Sequence, residues 1–171
     1  MSLGGEPIVR TPALLKAGAD PNRPSDPPLL ASLSQEGHSL DVIELLLTSG
    51  ADPDKTDADG WNILHRAADL RTEAELIVSC AAAVADVNLR TSDGDSAIDL
   101  ALKPWHGEEP NELRETVAAL AAVGVDIHGA RNANIAVGSW LEQLGDPTSA
   151  ASQRHVELQA LYHSTRQRLR P

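Results

Sequence analysis

Phenylalanine is absent from this chain, and the other aromatics come down to one tyrosine, Tyr162, and three tryptophans, Trp61, Trp105 and Trp140. A β-sandwich draws its core from aromatic and β-branched residues, so their shortage argues against sheets. Alanine and leucine carry most of the 42% hydrophobic content, and small aliphatic side chains let helices approach closely. The composition favours an all-α fold. The single cysteine, Cys80, rules out an internal disulfide framework and suits a reducing compartment, so the chain is expected to be cytoplasmic. Its neighbours Val78, Ala81 and Ala82 place it on an apolar helix, where a thiol is inert rather than reactive. No apolar run approaches the roughly 18 residues of a membrane span. The first residues, Met1 to Glu6, lack the basic and apolar regions of a signal peptide and read as a flexible leader over 1–10.

Lysine is scarce too, with three against eleven arginines, a bias that points to a GC-rich genome. The formal net charge is −11, and its spread is uneven: residues 1–150 carry −14 and residues 151–171 carry +3. An acidic body repels phosphate backbones, which argues against nucleic acid as a partner. The same field steers a basic protein surface toward it.

What the sequence does contain is a repeat. Gly18-Ala19-Asp20-Pro21-Asn22 returns as Gly50-Ala51-Asp52-Pro53-Asp54, as Val84-Ala85-Asp86-Val87-Asn88 and, more faintly, as Gly124-Val125-Asp126-Ile127-His128. The anchors lie 32, 34 and 40 residues apart, and each follows an apolar helical stretch such as Val42 to Leu47. Between anchors, Asp57-Ala58-Asp59-Gly60-Trp61-Asn62-Ile63-Leu64-His65 aligns with Thr91-Ser92-Asp93-Gly94-Asp95-Ser96-Ala97-Ile98-Asp99. Pro27-Pro28-Leu29-Leu30 holds the corresponding place earlier, without the turn glycine. A fixed period of this length is the mark of a stacked solenoid.

Period, anchor and landmark together resemble the ankyrin repeat, over roughly residues 11–128, with Gly37-His38 one residue out of step. The resemblance implies an ankyrin-type helical solenoid of about four units, 11–22 (partial, opening near Thr11), 23–54, 55–88 and 89–128, joined by short β-hairpin turns. An array that opens on half a unit is either capped by it or continues a missing upstream part. The stretch Lys103 to Pro110 reads as a loop inserted between the two helices of the last unit, because two prolines bar a helix extension. Residues 129–171 are expected to form a divergent helical cap. One helix is read over Ala133 to Leu144, stopped by Gly145-Asp146-Pro147. A second runs from Ala150 to about Leu169, with Val156, Leu158, Leu161 and Tyr162 near helical spacing.

Chemistry is harder to find. The acidic turn Asp52 to Asp57 fails as a calcium loop, since the sixth and twelfth places hold Asp57 and Ile63 rather than glycine and glutamate. No zinc, nucleophile-elbow or phosphate-loop motif occurs, so no catalytic residue, metal or cofactor is expected. In the family, the histidine at the place of His65 bonds neighbouring backbone, and His38 fits the Gly-His landmark. Positions that the repeat pattern leaves unfixed would line a concave groove: Ala58, Asp59, Trp61, Arg66, Asp69 and Leu70 in the third unit, and Arg90, Ser92, Asp93, Asp95 and, at its margin, Leu100 in the fourth, with Asp57, Asp59, Trp61, Asp93 and Asp95 at the groove's centre. Trp61 leads this set, because tryptophan and arginine dominate interface hot spots. The competing reading is that it packs on a neighbouring hairpin. Trp105, in the inserted loop, is the second aromatic candidate. The expectation is a monomeric, non-catalytic protein-binding module with a basic partner. Immunity to a toxin, inhibition of an enzyme, and a piece of a larger adaptor or effector protein are the alternatives.

Overall fold

The computed structural model describes residues 14–23, 27–34, 37–103, 110–130, 142–143, 146 and 148–169. Its elements in chain order are α1 (Pro28–Ala31), β1 (Leu33–Ser34), β2 (Gly37–His38), α2 (Leu40–Thr48), α3 (Ile63–Asp69), α4 (Ala74–Ala83), α5 (Ala97–Ala101), α6 (Pro110–Ala122) and α7 (Ala150–Leu169). A further helical turn covers residues 14–16. The chain is an all-α solenoid of helix pairs, α1/α2, α3/α4 and α5/α6. Inner helices α1, α3 and α5 stack in series, and outer helices α4 and α6 pack together.

The inner helices start alike for a local reason. Asn62 accepts a hydrogen bond from the His65 backbone, and the Asn62 N–H donates to the His65 ring at 3.2 Å. Ser96 and Asp99 form the same reciprocal box at the head of α5. Each box satisfies two donors that a helix start leaves without partners. Two of the three outer helices, α2 and α6, end alike as well, whereas α4 ends on the extended Val84. At the end of α2, Ala51 N–H donates to Leu46 O at 2.9 Å and Gly50 N–H to Leu47 O at 3.1 Å. This pattern needs a left-handed residue at Gly50, whose φ is 88°. The same bonds recur around Gly18 and Gly124.

One residue per anchor then staples the next unit. Asn22 donates to Gly50 O at 2.8 Å and accepts from the Asp52 N–H at 2.7 Å. Asp54 accepts from the Ala85 N–H, and Asn88 accepts from the Asp126 N–H at 2.7 Å. The anchor motif is thus inter-unit glue, and its aspartates close local turns: Asp20, Asp52 and Asp86 each accept from the N–H two residues on.

Several expectations need correction. The only strand pair among the described residues is β1–β2, with Leu33 opposite His38, in the loop between α1 and α2. The tips at 57–61 and 91–95 close as turns, each through two backbone hydrogen bonds and one side chain, too short for a ladder. Leu100 is buried (1% exposed) in the core rather than free, because the five-residue α5 turns that position inward. Val156 is 61% exposed. The buried stripe of α7 runs through Leu158, Leu161, Tyr162 and Thr165, at i, i+3, i+4 and i+7, and Val156 falls off it. The C-terminal helix α7 lies across the outer helices α4 and α6. The readings at 1–10, at Thr11, at 133–141 and over most of the inserted loop lie outside the described residues.

Gly60 has a stricter demand than Gly50. Its φ is 77°, and a Cβ there would meet Ser92 N at 2.9 Å, whereas at Gly50 nothing lies within 4 Å. Gly50→Ala should cost about 1–2 kcal/mol from the left-handed backbone alone. Gly60→Ala adds a backbone clash between adjacent tips and should cost about 3 kcal/mol or more. Urea unfolding of the two variants checks this, and equal losses would show that the tips can move apart.

Candidate functional site

The residues that could meet a partner gather where the tips of two successive units lie side by side. In the first tip, Asp57 Oδ1 accepts the N–H groups of Asp59 (3.0 Å) and Trp61 (2.9 Å), and Asp57 N–H donates to Trp61 O at 3.0 Å. In the second, Thr91 Oγ1 accepts the Asp95 N–H at 3.1 Å, and Thr91 N–H donates to Asp95 O at 2.9 Å. The tips are joined by Ser92 N–H donating to Asp59 O at 3.0 Å. A short polar side chain at the first place of each tip therefore sets the backbone, and the residue at the fifth place, Trp61 or Asp95, is aimed by it.

Trp61 is half-buried and has company. The Arg66 guanidinium lies 4.9 Å from its ring centroid and the Lys103 ammonium 5.9 Å. Both cations are tethered: Arg66 to Asp57 Oδ2 at 3.2 Å and Lys103 to Asp95 Oδ2 at 3.0 Å. Such cation–π contacts contribute about 0.5–1 kcal/mol each at exposed sites. A chain of alternating groups results, running Asp57, Arg66, Trp61, Lys103, Asp95. Arg90 reaches Gly94 O at 2.9 Å and the fully buried Asp99 at 3.5 Å.

Asp69 joins the same patch. Burial pushes its carboxyl above the ordinary value, and the cations Arg66, Lys103 and Arg71 pull against that rise. Arg71 bonds Ala101 O at 2.9 Å and Lys103 O at 2.8 Å, which fastens the end of α5 to the end of α3. Asp59 and Asp93 are exposed at the tips. The structure thus brings Asp57, Trp61, Arg66, Asp69 and Asp95 together, sets Asp59, Asp93 and Arg90 along the adjoining tips, and leaves Trp105 outside the described residues. Lys103 and Arg71 were missed. Lys103 was legible, because it lies 34 residues after Asp69, in the same register; reading it as part of an insertion hid that. Nothing in the sequence marks Arg71, whose φ of 48° is set by the tight turn into α4.

In each ion pair of this surface the acid is the more buried partner: Asp95 15% exposed against Lys103 45%, and Asp99 0% against Arg90 46%. Among the described residues no three His, Cys, Asp or Glu side chains cluster as a metal site, and no helix is long and apolar enough to cross a membrane. Cys80 is fully buried on α4, and burial pushes its thiol up to about 12, so it holds no thiolate at neutral pH.

Residues 31–71 match the family described as ankyrin repeats (many copies). No curated protein matches the chain. Among solved structures, the chain is similar to an ankyrin repeat domain from Acinetobacter baumannii AYE, at 24% identity and a TM-score of 0.58, covering 90% of this chain and 72% of that one. The matched segment and the likeness of fold agree: the chain has the fold of an ankyrin repeat domain. Ankyrin repeats in general serve protein–protein interaction.

His65 supports the tip from beneath. Its Nδ1 accepts from Asn62 N–H, so its Nε2 carries the proton and donates to Leu89 O at 2.9 Å. Burial lowers its pKa from 6.5 by disfavouring the charged ring, against opposing contributions from Leu89, Asp57 and Asp95. Below that value the unfolded chain takes up a proton that the folded ring excludes, so the stabilising contribution is complete above 6.5 and declines as pH falls. His155, also lowered by burial, acts in the same direction. NMR titration should show the His65 ring neutral and Nε2-protonated at pH 6.5, with unfolding free energy decreasing from pH 7 to 5.5. A midpoint at or above 6.5 would contradict the lowering by burial, and a proton on Nδ1 would contradict the assigned tautomer.

Proposed function

We propose that this chain is a non-catalytic, monomeric binding module that takes a partner protein against its inner-helix face and tips, centred on Trp61. One observation carries the reading. A tryptophan stands half-open at a tip, aimed by Asp57 and flanked by two cations, while the core beneath it is complete without it. A large amphipathic ring that is already ordered loses little entropy on contact, which is what makes tryptophan effective in hot spots.

The partner that fits is a protein with a basic rim. The net charge of −11 and the exposed Asp59 and Asp93 on adjacent tips support this. Such a field raises the encounter rate with a basic surface and weakens as salt is added. An inhibitor that occludes a basic toxin or enzyme would use the same contacts, and the acidic charge favours that version over a neutral scaffold. It belongs in the cytoplasm, where Cys80 stays reduced.

The variant Trp61→Ala/Asp59→Lys/Asp93→Lys tests the site. Proteins co-purifying with the wild type should be lost. Far-UV circular dichroism should be unchanged, and Tm should fall by about 2–4 °C, the equivalent of about 1 kcal/mol for a chain of this size. Unaltered capture would exclude the tips as the site. Loss of helicity would make these residues structural.

A further inference from the structure

Repeat arrays are quasi-one-dimensional: each unit touches its neighbours only, so units can loosen one by one. Helix α7 breaks that rule. Near its start, Arg154 bonds Glu75 of α4 at 2.7 Å and Glu115 of α6 at 3.4 Å. Near its end, Arg168 bonds Glu44 of α2 at 2.6 Å. Fourteen residues separate the two arginines, about 21 Å of helix. Between them the stripe of Leu158, Leu161, Tyr162 and Thr165 rests on the outer helices. The chain's one strongly basic segment is therefore laid along a row of acids supplied by three successive units.

We propose that α7 is a built-in clamp that ties the three helix pairs into one cooperative body, with Arg168–Glu44 as the contact that recruits the α1/α2 unit. Two further observations support it. α2 packs mainly on its own partner α1, whereas α4 and α6 pack on each other and on α7, so the α2 unit is the one least tied to the outer layer. The Arg154–Glu75 bond also holds the Glu75 carboxyl below its ordinary value, as a formed ion pair does. Under the binding reading of the inner-helix face, the clamp fixes how the units that carry Trp61 and its neighbours are set against each other. The clamp itself does not depend on that reading.

Hydrogen exchange on the full chain tests it. Arg168 is 60% exposed, so Arg168→Glu leaves the core intact. Exchange of the α2 amides (Leu40–Thr48) should rise roughly two- to fivefold relative to those of α6, the range expected for one exposed ion pair. The swapped variant Glu44→Arg/Arg168→Glu should bring α2 back to the wild-type rate. Molar salt should loosen α2 in the wild type and change little in Arg168→Glu. Increased exchange confined to the end of α7 would overturn the proposal, as would unchanged α2 exchange or a swap that restores nothing. These readouts need no partner, so a failed clamp and a failed binding site are told apart.

Discussion

Helix α4 has no face to give to water. Of its ten residues every one but Glu75 is buried, and its sequence, Ala-Glu-Leu-Ile-Val-Ser-Cys-Ala-Ala-Ala, carries only one charge. An outer helix of a two-layer array normally presents a polar back, since a helix that is apolar all round must be enclosed. The rest of the structure follows from enclosing this one. Its inward side is met by α3, its flank by α6, and its back by α7. The small side chains of Ala81, Ala82 and Ala83 let these neighbours come close. Cys80 is then a core atom with an inert thiol, and the polar head of α7 is left to find its partners on Glu75 and Glu115.

The fold was largely legible because it is repeated. Gly18, Gly50 and Gly124 carry the same helix-ending bonds, and Asn22, Asp54 and Asn88 carry the same staple. A motif that recurs in one phase is a geometric requirement seen several times over. Where repetition stops, reading by composition was weaker. The segment 150–169 was legible as a helix, but its placement was not, since position depends on which surface elsewhere lacks cover. That surface is α4, and its apolar sequence was the available signal. Of the site, the register of Trp61, Arg66 and Asp69 could be read from the pattern. That Lys103 turns back toward Trp61, and that Asp57 is occupied by three donors, depended on side-chain geometry that periodicity does not encode.

Charge needs two scales of description. Counted over the chain, acids outnumber bases by eleven, and at a distance that total is what another molecule meets. Close up, much of the acid is committed. Asp20, Asp52 and Asp86 close turns, Asp54 is bonded across units, and Glu44, Glu75 and Glu115 face the arginines of α7. At the tips the buried acids turn their cations outward beside Trp61. The summed field is acidic, and so are Asp59 and Asp93 at the tips, whereas beside the Trp61 ring Arg66 and Lys103 stand further out than their acids. Encounter is governed by the field, because screening is weakest at low salt and the whole chain contributes. Residence is governed by the contact, because desolvated, close-range pairs control dissociation. Under the proposed reading, a basic partner drawn in by the field fits best if it also offers an acceptor, a carboxylate or a backbone carbonyl, where Arg66 and Lys103 stand beside the ring.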